Sequence, residues 1–250
     1  MLTKKIKLLL AIMMIIMLSA CASQANKDPL EGLNRGIYKF NDIADKAVAK
    51  PVAKAYKYIT PTPIRTGVSN FFANLGTFGS VFNNLLQFKV GNAMSEAGRF
   101  VINSTFGFAG FIDVASMDNI PIHKEDFGQT LGTWGLGQGA YLVLPILGPS
   151  TLRDTTGFVV DTAAFDLVTY QHNIGNIATS NVLRGTSLIN TRASLLDASD
   201  ILDEAALDPY AFMRDAYLQR RENQLVDGDS TKQMQRDDGG FEPLPEDVKK

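Results

Sequence analysis

Three long stretches of this chain carry no charge, yet none is apolar enough to cross a bilayer. Thr66–Phe88 runs 23 residues without Asp, Glu, Lys or Arg, Phe100–Ile112 runs 13, and Leu131–Leu152 runs 22. From Thr66 to Leu183 there are twelve such residues in 118, against thirty-eight in the other 132, where soluble domains average roughly 25 %. The middle of the chain suits surroundings poorer in water than an ordinary protein surface. A lipid-exposed span is excluded as well, because Thr66–Phe88 holds Thr66, Ser69, Asn70, Asn74, Thr77, Ser80, Asn83 and Asn84 besides three glycines. Its apolar residues, among them Val68, Phe71, Phe72, Leu75, Phe78, Phe82 and Leu85, fall mostly on one face of a 3.6-residue helix. The opposite face is polar but uncharged. A solvated helix carries Lys and Glu there, so this one is expected to meet protein, lipid headgroups or a wet cavity.

The N-terminus narrows the choice. Lys4, Lys5 and Lys7 precede an eleven-residue apolar run, Leu8–Leu18, which ends in Ser19-Ala20-Cys21. A basic start, a short apolar run and small residues at the exit form a secretory signal peptide, too short for a bilayer span of about 20 residues. Leu18-Ser19-Ala20-Cys21 also resembles the bacterial lipobox, in which the cysteine receives a diacylglycerol and becomes the first residue of the mature protein. Cys21 is the only cysteine, so no intramolecular disulfide explains it, and lipid attachment at Cys21 does. Removing residues 1–20 with their three lysines takes the formal charge from −2 to −5, and nothing favours nucleic acid.

Downstream the chain punctuates itself. Asp28-Pro29-Leu30-Glu31 reads as a helix start with Asp28 as N-cap. Leu30, Leu33, Ile37 and Phe40 then follow along one stripe, as in a helix lying on a bilayer surface. Pro51 is expected to end or kink it, and Pro61 and Pro63 to isolate a second helix around 52–58. A helix is expected over 91–106, a bent, closely packed connection at Phe106–Phe111, and a mobile turn or hairpin at Leu131–Tyr141 with four glycines in eight residues. No lysine-serine pair makes that turn a phosphate loop. Ser150 is expected to cap a helix through about 165. Further helical pattern covers 182–207, and Asp208-Pro209 opens a last helix. From about Gln224 the chain turns polar and reads as a disordered tail.

Together these motifs resemble the MlaA/VacJ family of outer-membrane lipoproteins. The likeness rests on Asp28-Pro29-Leu30-Glu31-Gly32-Leu33-Asn34-Arg35, Phe40-Asn41-Asp42, Thr66-Gly67-Val68-Ser69-Asn70-Phe71-Phe72 and Arg99-Phe100-Val101-Ile102-Asn103-Ser104-Thr105. It continues through Phe111-Ile112-Asp113-Val114-Ala115, Glu125 to Gly132, and Leu144-Pro145 to Arg153-Asp154. Leu33 stands where a larger aromatic is usual, and Gln138-Gly139-Ala140 replaces a Gly-Pro ending.

The resemblance implies an all-α fold: a ring of amphipathic helices embedded in one membrane leaflet, with a Gly-rich, hairpin-like loop beside a central channel. It implies four segments: a signal peptide (1–20), a lipidated linker (21–27), the ring (28–223) and a tail (224–250). The implied function is removal of stray phospholipid from the outer leaflet of a Gram-negative outer membrane. Its partners would be a trimeric porin and a periplasmic lipid-carrier protein. Asn74 and Asn83 are then candidates for the channel wall, and Gly135, Gly137 and Gly139 for its gate. No cofactor, metal or catalytic residue is expected. The competing classes are a lipid hydrolase and a structural envelope lipoprotein. A hydrolase needs a nucleophile and a base, but there is no Gly-x-Ser-x-Gly elbow, and His123 and His172 are the only histidines. Arg99, Arg153 and Asp154 are expected to pair or cap within the fold.

Overall fold

The computed structural model describes residues 28–169 and 176–227. The lipobox with Cys21, His172 and the tail beyond residue 227 lie outside the described residues.

Helix α1, Glu31–Ala44, continues through a π-helical turn, Asp45–Ala49, into α2, Lys50–Ile59. Pro51 therefore does not end the helix. It removes one N–H and crowds the carbonyl four residues back, and the wider π-turn just before it absorbs the misfit. Asp28 is no cap either. Residue Leu30 holds the N-cap position without a side-chain bond, while the buried Asp28 accepts from Asn34 Nδ2 at 2.8 Å and from the Tyr210 hydroxyl.

Helix α3, Thr62–Leu86, packs along α4, Val90–Thr105. After the glycine-aromatic connection, where Phe108, Ala109 and Gly110 all take positive φ, come a short α5, Val114–Met117, and α6, Phe127–Thr133. Next is an antiparallel hairpin, β1 (Tyr141–Leu144) with β2 (Gly148–Thr151), in the register Tyr141 to Thr151 and Leu144 to Gly148. The fold is thus mostly helical rather than all-α. Helix α7, Leu152–Ala164, follows at once, capped by Thr151 rather than Ser150. Then come α8 (Ile177–Ser194), α9 (Leu196–Ala205) and α10 (Pro209–Leu225), the last capped by Asp208 as expected.

The packing runs in a closed circuit. Helix α1 touches β1, β1 pairs with β2, β2 meets α7, α7 packs on α6, α6 on α3, α3 on α8 and α8 on α2, which rejoins α1 through the π-turn. Within this circuit polarity is inverted. Among the described residues twelve hydrophobic side chains are buried, five of them alanines, against twenty polar or charged ones. Thirty-four large hydrophobic side chains are exposed among the described residues. The main apolar cluster is small, Tyr141, Val143, Tyr210 and Leu218 with Ile37, Tyr38, Met213 and Tyr217 around it. No described helix is long and apolar enough to cross a membrane.

Candidate functional site

One part of the polar interior gathers behind the hairpin, where Ser150, Thr151, Arg153, Asp154 and Arg221 are buried. Two glycines make this possible: a Cβ on Gly157 would stand 2.3 Å from Gly128 N, and one on Gly128 2.7 Å from Asp154 Oδ1. Helices α6 and α7 approach backbone to backbone there, carrying Asp126, the N-cap of α6, beside Asp154 in the first turn of α7. Arg221 of α10 bridges the two. Its Nη1 and Nη2 donate to Asp126 at 2.6 and 2.9 Å, and its Nε and Nη2 to Asp154 at 3.0 and 2.8 Å. Tyr217 OH donates to Asp154 at 2.8 Å, and Arg153 shares the same carboxylate at 3.2 Å.

Burial works against both carboxylates, but the Arg221 guanidinium outweighs it and holds each below its ordinary pKa. Burial pulls Arg153 down. Asp161, about two turns further along α7, has amide donors only, Phe127 N–H at 2.8 Å and Asn83 Nδ2 at 2.9 Å, and burial raises its pKa. Asp126, Asp154, Asp161, Tyr217 and Arg221 line a cleft of about 260 Å³ whose apolar side is Leu144, Leu147, Pro149 and Phe158.

The hairpin itself is held by α1. Asn34 Nδ2 donates to Tyr141 O at 3.0 Å while its Oδ1 accepts from Val143 N at 2.9 Å. One heptad on, Asn41 does the same with Leu144 O at 2.9 Å and Ile146 N at 2.8 Å. Two side-chain amides thus stand in for a neighbouring strand along the free edge of β1. At the tip, Leu147 N bonds Pro145 O at 2.8 Å around Ile146, whose φ is 67°. A γ-turn centred on a β-branched residue at positive φ is a strained arrangement.

The sequence-derived candidates divide. Leu30, Leu33 and Phe40 are exposed along α1 as an interfacial stripe requires, whereas Ile37 turns into the tyrosine cluster. Gly135, at φ 92°, closes α6: its N–H bonds Gly132 O at 3.0 Å and Leu136 N bonds Leu131 O at 2.9 Å. This is a glycine C-cap, so the start of the presumed mobile turn is the end of a helix. Gly139 has φ 70°, and nothing lies within 4 Å of a Cβ on Gly137.

Asn74 and Asn83, the candidate wall residues, are 4 % and 1 % exposed. Asn74 Nδ2 donates to Ser104 Oγ at 2.9 Å, and Asn83 accepts from Thr130 Oγ1 at 2.9 Å. The uncharged face of α3 is a seam between helices. Amide hydrogen bonds fill such seams where apolar packing alone brings helices together weakly.

Arg99 pairs with Asp113 at 3.0 Å, and Arg153 with Asp154, as expected. His123 belongs to a strap tied down by side chains, its N–H to Glu96 Oε1 and its carbonyl to Asn84 Nδ2. Glu125 is buried against Lys89 at 2.8 Å. Among the described residues no group of His, Cys, Asp and Glu stands in a metal-holding arrangement. Asn34, Asn41, Asp161 and Arg221 are not among the sequence-derived candidates. The heptad spacing of the two asparagines on one face of α1 was the available signal for the first pair.

Such a structure defines a class: a helical protein with a polar interior, an apolar exterior and a strand pair clasped to its first helix. The family model for the MlaA lipoprotein matches residues 26–224, and the chain belongs to that family. The "Intermembrane phospholipid transport system lipoprotein MlaA" of Escherichia coli K12 is 38 % identical over 217 residues, 82 % of this chain and 83 % of the relative. The protein of the same name from Haemophilus influenzae is 35 % identical over 257 residues, 97 % of each chain. A solved structure described as the "structural basis for maintenance of bacterial outer membrane lipid asymmetry" superposes with a TM-score of 0.69 at 37 % identity, covering 79 % of this chain and 98 % of that one.

Proposed function

We propose that this chain is the outer-membrane lipoprotein of an intermembrane phospholipid transport system. It takes stray phospholipid from the outer leaflet, leads it past the hairpin and releases it to a periplasmic carrier protein, beside a trimeric porin. The inverted polarity carries this reading. Exposed Phe106 and Phe108, at 74 % and 77 %, and their neighbours suit acyl chains, while the buried carboxylates and amides suit a headgroup. The names of the relatives supply the substrate class.

In this reading the helical circuit sits in one leaflet, anchored by a lipid on Cys21, since an interfacial helix alone binds reversibly. The segment from Gly135 to Gly139 and the strained hairpin behind it form the gate. No step breaks a covalent bond.

Cells lacking the protein should expose more phospholipid to a membrane-impermeant amine reagent. Wild type should restore the barrier, and Cys21→Ser should not. Equal labelling with and without the protein would overturn the reading. So would release of fatty acid by the purified protein, the mark of a hydrolase.

A further inference from the structure

Two cavities flank the tip of the β1–β2 hairpin, and neighbouring residues of that tip belong to different ones. Pro145 closes a groove of about 490 Å³ along α1, whose other walls are Gly32, Leu33, Gly36, Ile37 and Phe40. No polar side chain lines it. Gly32 and Gly36 lie one turn apart, and a Cβ on either would meet nothing within 4 Å, so the space above them is open. Leu144 and Leu147, on either side of the same turn, instead line the cleft that holds Asp126, Asp161, Tyr217 and Arg221. Between them Ile146 is 69 % exposed and held at positive φ.

The cleft is one cation short. The nitrogens of Arg221 are taken up by Asp126, Asp154 and Gln224, and Arg153 bonds Asp154 and Leu136 O. Two guanidiniums therefore face three carboxylates, and among the described residues Asp161 has amide partners alone. An ammonium group entering the cleft would supply the missing charge, whereas an anionic group would meet Asp161 and Asp126 with both arginines already bonded. An apolar slot and a carboxylate-lined cleft on opposite sides of one turn match an amphiphile with a cationic end.

We propose that one aminophospholipid straddles the hairpin tip, an acyl chain in the α1 groove and its ammonium against Asp161. The proposal rests on the phospholipid-transport reading and names the headgroup and the seat of the lipid. It makes the two cavities interdependent, because a change in one alters occupancy of the other through the lipid alone.

The test uses the full chain in nanodiscs containing phosphatidylethanolamine with a diazirine in its acyl chain. After irradiation the α1 peptide should carry the label, and unlabelled phosphatidylethanolamine should compete about tenfold better than phosphatidylglycerol, a coupling of ordinary size. Gly36→Leu fills the groove and should remove the label. Asp161→Asn, on the far side of the hairpin, should erase the headgroup preference, and Asp161→Glu should retain it. Far-UV circular dichroism confirms that each variant is folded, and if the Asn variant unfolds, the competition ratio of the two headgroups in the wild-type chain decides. Labelling that ignores the headgroup, survives Gly36→Leu or is indifferent to both Asp161 variants overturns the straddled site. Cells that still clear surface phospholipid under those results keep the transport reading and lose only this site.

Discussion

Asn34→Ala tests how firmly α1 holds the hairpin. The side chain is 1 % exposed and makes three hydrogen bonds, to Asp28 Oδ1, Tyr141 O and Val143 N. Truncation strands Tyr141 O and Val143 N, while Asp28 keeps the Tyr210 hydroxyl. A buried polar group so stranded costs about 1–3 kcal/mol. Taking the low end for each of the two, because water can enter the space of the lost amide, gives a loss of about 2 kcal/mol, a large share of a stability of about 5–15 kcal/mol. Asn41→Ala strands Leu144 O and Ile146 N, of which Ile146 is exposed. It should cost nearer 1 kcal/mol. Chemical unfolding in detergent, followed by far-UV circular dichroism, gives both values, and amide exchange at Val143 locates the effect. A loss below about 1 kcal/mol for Asn34→Ala, with Val143 as protected as in wild type, would refute the idea that side-chain amides replace a strand here.

Three further outcomes follow from the backbone and the charge network. Ile146→Gly should raise stability by about 1 kcal/mol by releasing the positive-φ strain, while hairpin-tip amides exchange faster; a fall in stability would contradict the strain argument. Gly157→Ala must part α6 from α7, because its Cβ would meet Gly128 N at 2.3 Å. It should cost about 2 kcal/mol or more, whereas Gly36→Ala, with open space around it, should gain about 0.5–1 kcal/mol; the same unfolding midpoints measure both. Asp126 and Asp154 have lowered pKa values in the folded state, where the Arg221 bonds outweigh burial. The stability they contribute is full above the unfolded carboxylate value of about 3.9 and disappears as the pH falls through the folded values. Acid titration should therefore show a loss below about pH 4 that is much reduced in Arg221→Gln, and an unchanged acid limb in that variant would contradict the assignment.

Periodicity and punctuation made the helices legible. The charge-free face of α3, the Asp208 cap and the bent glycine-aromatic connection after α4 all lie where local pattern predicts, because each depends on neighbours within a turn or two. Asp28 shows where that reasoning stops. Its sequence context is that of a cap, but its carboxylate is used by Tyr210, 182 residues away. Pro51 has the local signature of a break, and only the π-turn before it keeps the helix running. The hairpin was hidden because Tyr141–Leu144 is too short to show alternation, and because the edge of β1 is completed by two asparagines of a distant helix. Asp126, Asp154 and Arg221 are individually ordinary surface residues in sequence. Their convergence, and the burial of Asp154 and Arg221, follows from Gly128 and Gly157, whose missing side chains let α6 and α7 touch.

The central claim is that the apolar exterior meets lipid while the interior stays polar, and methyl contacts with the surrounding chains test it most directly. In nanodiscs with protonated lipid and otherwise deuterated protein, nuclear Overhauser transfer from acyl methylenes should reach exposed Val48, Met94, Val101 and Met117 and should miss buried Ala53, Val143 and Leu218. Transfer from water rather than lipid to the exposed methyls, together with a stable monomer in detergent-free buffer, would contradict the account.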